Sequence, residues 1–206
     1  MGETKMGNKT NARRLSLIAM FAAVIIIQNY VPLLGYIPFG PLEVTVIHIT
    51  VIIAAVLLGP VDGAIVGGIW GLVDWFRAIT VTSSVLGNVV MVNPLVSILP
   101  RILIGLFAGW IMDYLYKKNV NKQFSMVLSA LIGSVTNTVL VLSMIYVFYH
   151  NGSAIYSAIN LKALTPYLLT IAGVHGIPEA IAAMIIVPLI ATPLLRFTSI
   201  GKNRFR

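Results

Sequence analysis

The sequence predicts an all-α protein that crosses a lipid bilayer with six helices. Of its 206 residues, 58% are hydrophobic and only 10% are charged, whereas a soluble domain carries about a quarter charged residues. The apolar residues also fall into runs close to the roughly 20 residues that a spanning helix needs. A water-soluble fold could not cover so much apolar surface, so we expect lipid to cover it.

The predicted helices follow these runs and end at turn residues. The six spans are expected at 15–33, 43–58, 62–77, 94–116, 124–149 and 166–195. The segment GYIPFGP (35–41) breaks the chain between the first two spans, because glycine and proline disfavour helix. The stretch 78–93 is expected to be a loop. Pro100 is expected to kink the fourth span or to lie in an unwound turn, and Gly176 and Pro178 are expected to interrupt the sixth.

The distribution of positive charge predicts that both chain ends are cytoplasmic. With the N-terminus inside, the inner segments hold 11 of the 14 Lys and Arg residues: Lys5, Lys9, Arg13, Arg14, Lys117, Lys118, Lys122, Arg196, Lys202, Arg204 and Arg206. Only Arg77, Arg101 and Lys162 fall outside, as the positive-inside rule requires for an even number of spans. We therefore expect one transmembrane domain over 1–206, with 1–14 a retained basic N-terminus and 196–206 a basic tail.

Polar side chains inside the predicted spans indicate a binding site. Such residues usually face the bundle interior or a water-filled cavity, because lipid exposure is costly. By chain direction, those of several spans lie between the outer surface and the midplane. The candidate substrate-binding residues are His48, Trp70, Asp74, Asn93, Arg101, Asn137, His175 and Glu179. They predict an outward-opening pocket for a small water-soluble molecule, capped by 34–42, 78–93 and 150–165.

Each candidate also has a structural alternative. Arg101 could pair with Asp74 or Glu179 as a pin between helices, and Asn137 could be interhelical glue. Trp70 could be core packing rather than a stacking surface. His175 and Glu179 are four residues apart on one helix face, but two ligands are a weak signal, so no metal site is expected.

Further alternatives concern residues toward the outer interface. Arg77 could extend to that interface. Four tyrosines suit the aromatic belt first and lid positions second: Tyr30, Tyr36, Tyr146 and Tyr149.

Several functional classes are disfavoured. The sequence contains no P-loop and no HExxH motif, and its six acidic residues leave little capacity for acid–base catalysis, so we expect neither an enzyme nor a cofactor. Cysteine is absent, which excludes disulfides and thiolate metal sites. The positive charges lie at chain ends and in one connection, not along a groove, so no nucleic acid partner is expected.

Four segments together resemble a known family across nearly the whole chain. They are PLEVTVIHITVIIAAVLLGPVDGAIVGGIWGLVDW, NPLVSILPRILIGLFAG, SVTNTVLVLSMIYVFY and GVHGIPEAI. The chain resembles the S components, or substrate-binding subunits, of energy-coupling factor (ECF) transporters. The resemblance implies a multi-pass protein of the bacterial plasma membrane that binds a vitamin. It also implies two kinds of partner: a transmembrane coupling subunit and two ATP-binding cassette ATPases.

The resemblance further implies roles for particular residues. Small residues four apart on the first helix contact the coupling subunit in this family; here the matching residues are Ala19 and Ala23, with Ser16 and Ala22 beside them. NPLVSILPR and NTVLVL are most similar to S components assigned to pantothenate, or to hydroxymethylpyrimidine and pyridoxine. A pantothenate carboxylate would suit paired hydrogen bonds from Arg101, so pantothenate is favoured. A stand-alone carrier or channel, or a structural scaffold, remains an alternative.

Overall fold

The computed structural model describes residues 3–31, 33–39, 42–81, 89–150 and 164–197. Within these ranges the chain forms six helices and one antiparallel hairpin. The elements in chain order are α1 (Glu3–Tyr30), β1 (Tyr36–Phe39), β2 (Leu42–Thr45), α2 (Ile47–Leu58), α3 (Pro60–Thr80), α4 (Pro94–Lys117), α5 (Lys122–Tyr149) and α6 (Leu164–Phe197). The predicted six-helix, all-α class is confirmed. The tail from 198 onward lies outside the described residues.

Four helices within the described ranges are long and apolar enough to cross a membrane: Ala12–Tyr30, Pro94–Lys117, Lys122–Tyr149 and Leu164–Phe197. Helix α3 has 21 residues and carries buried Asp62 and Asp74 among its apolar residues. Helix α2 has only 12 residues, about 18 Å at the rise of an α-helix. Since eleven of those twelve residues are buried, α2 is a central helix that the others surround.

The hairpin contradicts two predictions from the sequence. GYIPFGP was expected to be irregular and the second span to begin at Glu43, but residues 36–39 pair with 42–45, with Tyr36 opposite Thr45. The second helix therefore begins at Ile47. Strand pairing satisfies the backbone groups of 42–45 that a helix would otherwise satisfy. The hairpin lies directly before the buried first turn of α2.

Glycines bring α3 and α4 into backbone contact. Gly63, Gly67 and Gly71 repeat every four residues on α3, and a Cβ at Gly67 would overlap the backbone carbonyl of Arg101. A Cβ at Gly105 would likewise overlap Gly63. Small residues at this spacing allow close helix approach in membranes. The spacing is visible in the sequence, and it is the signal that the sequence analysis missed.

Contacts at the helix ends agree with an up-and-down order of six helices. The Arg14 guanidinium on α1 forms an ion pair with Asp62 at the start of α3. Gln123 at the start of α5 bonds to Thr192 near the end of α6, with 3.0 Å between Nε2 and Oγ1. All four residues belong to the ends that the charge pattern places on the cytoplasmic side.

Helix α6 is interrupted as the sequence predicts. A π-helical turn, Ala172–Gly176, separates the α-helical segments Leu164–Ile171 and Ile177–Phe197. Pro178 has no N–H to donate to the carbonyl of Val174, so the regular hydrogen-bond ladder cannot pass this point. The same turn directs His175 into the protein, where it is buried, and leaves Val174 exposed. Pro100 is accommodated inside α4.

Candidate functional site

Arg101 contacts two other predicted site residues, Asp74 and Trp70, and the three form one buried group. Its Nη2 donates to Asp74 Oδ2 at 2.9 Å, and its Nη1 donates to the carbonyl of Val96 at 3.1 Å. The guanidinium carbon lies 4.8 Å from the centre of the Trp70 ring, an arrangement that is favourable in a desolvated site. The pairing with Asp74, one of the alternatives for Arg101, is thus present in the structure.

Local sequence explains why these residues meet. Trp70 and Asp74 are four residues apart on α3, so they share one face of the helix. The close approach at Gly67 and Gly71 places that face beside the first turns of α4, where Arg101 lies. A residue with a side chain at Gly67 would separate the two helices and lengthen the bridge from Asp74 to Arg101.

Tyr36 connects the hairpin to this group. Its hydroxyl donates to Asp74 Oδ1 at 2.6 Å, and Asn29 Oδ1 lies 3.1 Å from the same hydroxyl. The Arg77 guanidinium carbon lies 4.2 Å from the centre of the Tyr36 ring. Burial and the negative charge of Asp74 raise the pKa of Tyr36 well above its ordinary value, so the phenol stays protonated and donates. Tyr36 was predicted to be a belt residue first and a lid residue second, and its bond to Asp74 was not predicted.

Glu179 anchors the other strand of the hairpin. Its Oε1 accepts a hydrogen bond from the Thr45 backbone N–H at 2.7 Å. His48 is fully buried beside the backbone of Thr45 and Glu179. Arg101 lies close enough for its charge to act on both His48 and Glu179. Predicted residues from α2, α3, α4 and α6 therefore converge beneath the hairpin.

Asn137 and His175 lie on the neighbouring helices α5 and α6. Both are buried, at 8% and 9% exposure, and the π-helical turn packs at Gly176 against Thr138. The hydrogen bonds of Arg101 described above go to Val96 and Asp74. Their place in a common site remains a prediction.

Asn93 has a structural task at the start of α4. Its side-chain oxygen accepts from the Leu95 backbone N–H at 3.0 Å, which makes it the N-cap before Pro94. Asn followed by Pro is a helix-start signal, and this role of Asn93 was not predicted. A substrate contact by Asn93 remains a prediction.

Several buried polar atoms have no hydrogen-bond partner among the described residues. Within the predicted site they are both ring nitrogens of His48, Nε1 of Trp70, Nε of Arg101 and Oδ1 of Asn137. Leaving a buried donor or acceptor unpaired costs about 1–3 kcal/mol each. These atoms come from four helices and supply both donors and an acceptor, so the arrangement is suited to bind a polar solute.

The small residues of α1 lie on its outer face. Ser16, Ala19 and Ala23 are exposed and Ala22 is half-buried, whereas the opposite face of α1 packs into the core through Ile18, Phe21 and Ile25. The exposed small residues leave a shallow strip where another helix could approach closely. Their role as an interface remains a prediction.

Comparison with known proteins places the chain in one family. A family model described as "ECF transporter, substrate-specific component" matches residues 13–191. The chain is 33% identical over 195 residues to the pantothenate transporter PanT of Leuconostoc mesenteroides, covering 91% of this chain and 94% of that one. It is 30% identical over 203 residues to the pantothenic acid transporter PanT of Lactococcus lactis, covering 91% and 96%.

A solved structure has the same fold. The crystal structure of the S component for biotin from an ECF-type ABC transporter superposes with a TM-score of 0.61, covering 97% of this chain and 98% of that one at 20% identity. The resemblance drawn from the sequence segments is confirmed. The chain belongs to the family of ECF transporter substrate-specific components, multi-pass transport subunits of the bacterial cell membrane.

Proposed function

We propose that the chain is the high-affinity pantothenate-binding subunit of an ATP-driven importer. Both curated relatives are named as transporters of pantothenate or pantothenic acid, and they align along nearly the whole chain. Uptake would then require the partners that the family implies, a transmembrane coupling subunit and two ATP-binding cassette ATPases.

The unpaired buried polar atoms carry this proposal. Nε of Arg101 and Nε1 of Trp70 are N–H donors, suited to the carboxylate and amide carbonyl of pantothenate. Oδ1 of Asn137 is an acceptor, suited to a hydroxyl or an amide N–H, and His48 can act in either sense. A ligand that bonds to these atoms removes the cost of leaving them unpaired.

The same geometry leaves a planar vitamin such as hydroxymethylpyrimidine or pyridoxine at most one free face of Trp70. A planar ring would need an open aromatic face on which to stack, and the Arg101 guanidinium already covers one face of Trp70 at 4.8 Å. Pantothenate is a flexible chain with polar ends and does not need an aromatic face on which to stack. We therefore retain those two vitamins as competitors in the binding test.

Calorimetric titration of the purified protein with a vitamin panel, without ATP, tests the proposal. Pantothenate should bind tightly, with hydroxymethylpyrimidine and pyridoxine much weaker. Arg101→Ala should weaken pantothenate binding by about 2–5 kcal/mol, because a buried donor to the carboxylate is lost. Arg14→Ala, at the cytoplasmic end of α1, is the matched control and should bind as the unmodified protein does.

Two results would contradict the proposal. One is full affinity in Arg101→Ala, with its folding verified by its thermal melting curve. The other is preferred binding of a different vitamin. Flux of pantothenate into liposomes that contain this chain alone would instead support the stand-alone carrier.

A further inference from the structure

Two of the three guanidinium nitrogens of Arg101 donate within the protein itself. Nη1 donates to the Val96 carbonyl, and Nη2 donates to Asp74 and lies 3.8 Å from the sulfur of Met91. Only Nε has no partner among the described residues. A carboxylate held by paired hydrogen bonds needs two adjacent N–H groups of a guanidinium. Such a ligand would therefore have to take Nη2 from Asp74 or share it.

Asp74 resembles a bound carboxylate in every respect that matters to Arg101. Its side chain is buried, one oxygen accepts from Arg101 at 2.9 Å, and its charge neutralises the guanidinium. Its other oxygen accepts from Tyr36, which holds the carboxylate in place. A neutral ligand that needs only one donor can use Nε and leave this pair intact.

From this arrangement we infer that Asp74 is a specificity-determining residue, an internal carboxylate that competes with a ligand carboxylate for Arg101. The inference rests on the proposed function, because it concerns the end of the ligand that binds to Arg101. Asp74 lowers the advantage of an anionic ligand over a neutral one of the same shape. The site then selects through its other polar atoms as well, and not through charge alone.

Pantothenate and pantothenyl alcohol, which replaces the carboxylate with a hydroxymethyl group, are the probes. We compare their dissociation constants in the full chain and in Asp74→Asn, a substitution of nearly equal shape. Without the competing charge, the preference for pantothenate over the alcohol should rise about tenfold or more, the factor that one hydrogen bond to a charged group is worth. An unchanged or smaller preference would overturn the inference.

Asp62→Asn is the matched control. It makes the same chemical change on the same helix, at a residue paired with Arg14, and should leave the preference unchanged. An equal rise in this control would overturn the inference, because the effect would not be specific to Arg101.

Tyr36→Phe covers the case in which Asp74→Asn does not fold. It keeps the Asp74 charge and frees that carboxylate for Arg101, so the preference should be equal to or below that of the unmodified chain; a rise would overturn the inference. Unmodified protein that binds neither probe would overturn the proposed function and the inference with it. Intact binding with an unchanged preference in Asp74→Asn overturns the inference alone.

Discussion

Glu179 shows how an acidic residue inside a membrane protein can serve the fold by accepting a backbone hydrogen bond. Its carboxylate accepts from the Thr45 N–H at 2.7 Å, opposite the position where Asp74 holds Tyr36. Tyr36 and Thr45 are partners in the hairpin ladder. One carboxylate from α3 and one from α6 therefore hold the two strands at the same residue pair of the hairpin.

Removing the Glu179 acceptor should loosen the hairpin. The chain has no cysteine, so Ile37→Cys, at a position 43% exposed, provides a single site for a maleimide. With Glu179→Ala the label should react several-fold faster, because the Thr45 N–H loses its partner. Glu179→Gln keeps an acceptor oxygen and should react as the parent does. Equal rates in all three proteins would show that this bond does not hold the hairpin.

Among the elements, the sequence predicted the helices far better than the hairpin. The apolar runs located all six helices, and Pro94 marked the first turn of α4. The hairpin was missed because its strands have four residues each, the shortest length at which alternation can indicate a strand. Its conformation depends on anchors from distant helices, which local sequence does not reveal.

Contacts between distant residues also limited how much of the candidate site the sequence could predict. The seven candidate site residues within the predicted spans are all buried, as the cost of exposing polar groups to lipid predicts. Their role in binding stays a prediction. The Arg101–Asp74 pair was among the predicted alternatives. The bond between Tyr36 and Asp74 was not predictable, because these residues lie 38 residues apart in sequence. Spacing alone could have predicted the glycine contact of α3 with α4, and it was overlooked.

That glycine contact predicts a contrast between two neighbouring residues. Gly67→Ala should lower the free energy of unfolding by about 1–3 kcal/mol, because its Cβ overlaps the Arg101 backbone and the helices must separate. At Gly68 a Cβ would meet only the side chain of Ile102, at 3.4 Å. Gly68→Ala should therefore stay within about 0.5 kcal/mol of the parent. Thermal melting in detergent, with and without pantothenate, measures both; similar losses would contradict the proposed packing.

At the scale of the whole molecule, the binding residues and the small residues of α1 lie on different surfaces. The proposed site draws on residues of α2, α3, α4, α5 and α6, while Ser16, Ala19 and Ala23 face outward. A partner could therefore dock on α1 without touching the ligand. Binding and assembly should then respond to separate substitutions.

Ala23→Leu should abolish co-purification with the coupling subunit and leave pantothenate affinity unchanged, because a larger side chain prevents close helix approach. Leu189→Trp on α6, at a position 70% exposed, enlarges another outward face and is the matched control for assembly. Co-expression with the coupling subunit and both ATPases, followed by affinity purification, gives the readout. Normal assembly of Ala23→Leu would remove this face from the interface.

The direct contact of α3 with α4 also bears on how the protein responds to its cargo. At Gly63, Gly67 and Gly71 main-chain atoms of the two helices touch, so no side chain of α3 at these positions can absorb relative sliding. Trp70 and Asp74 on one helix and Arg101 on the other are thereby held at fixed distances, so the proposed site is preassembled before a ligand arrives. Adjustment to an arriving molecule falls to the parts around it, the strand pair above and the interrupted sixth helix beside it.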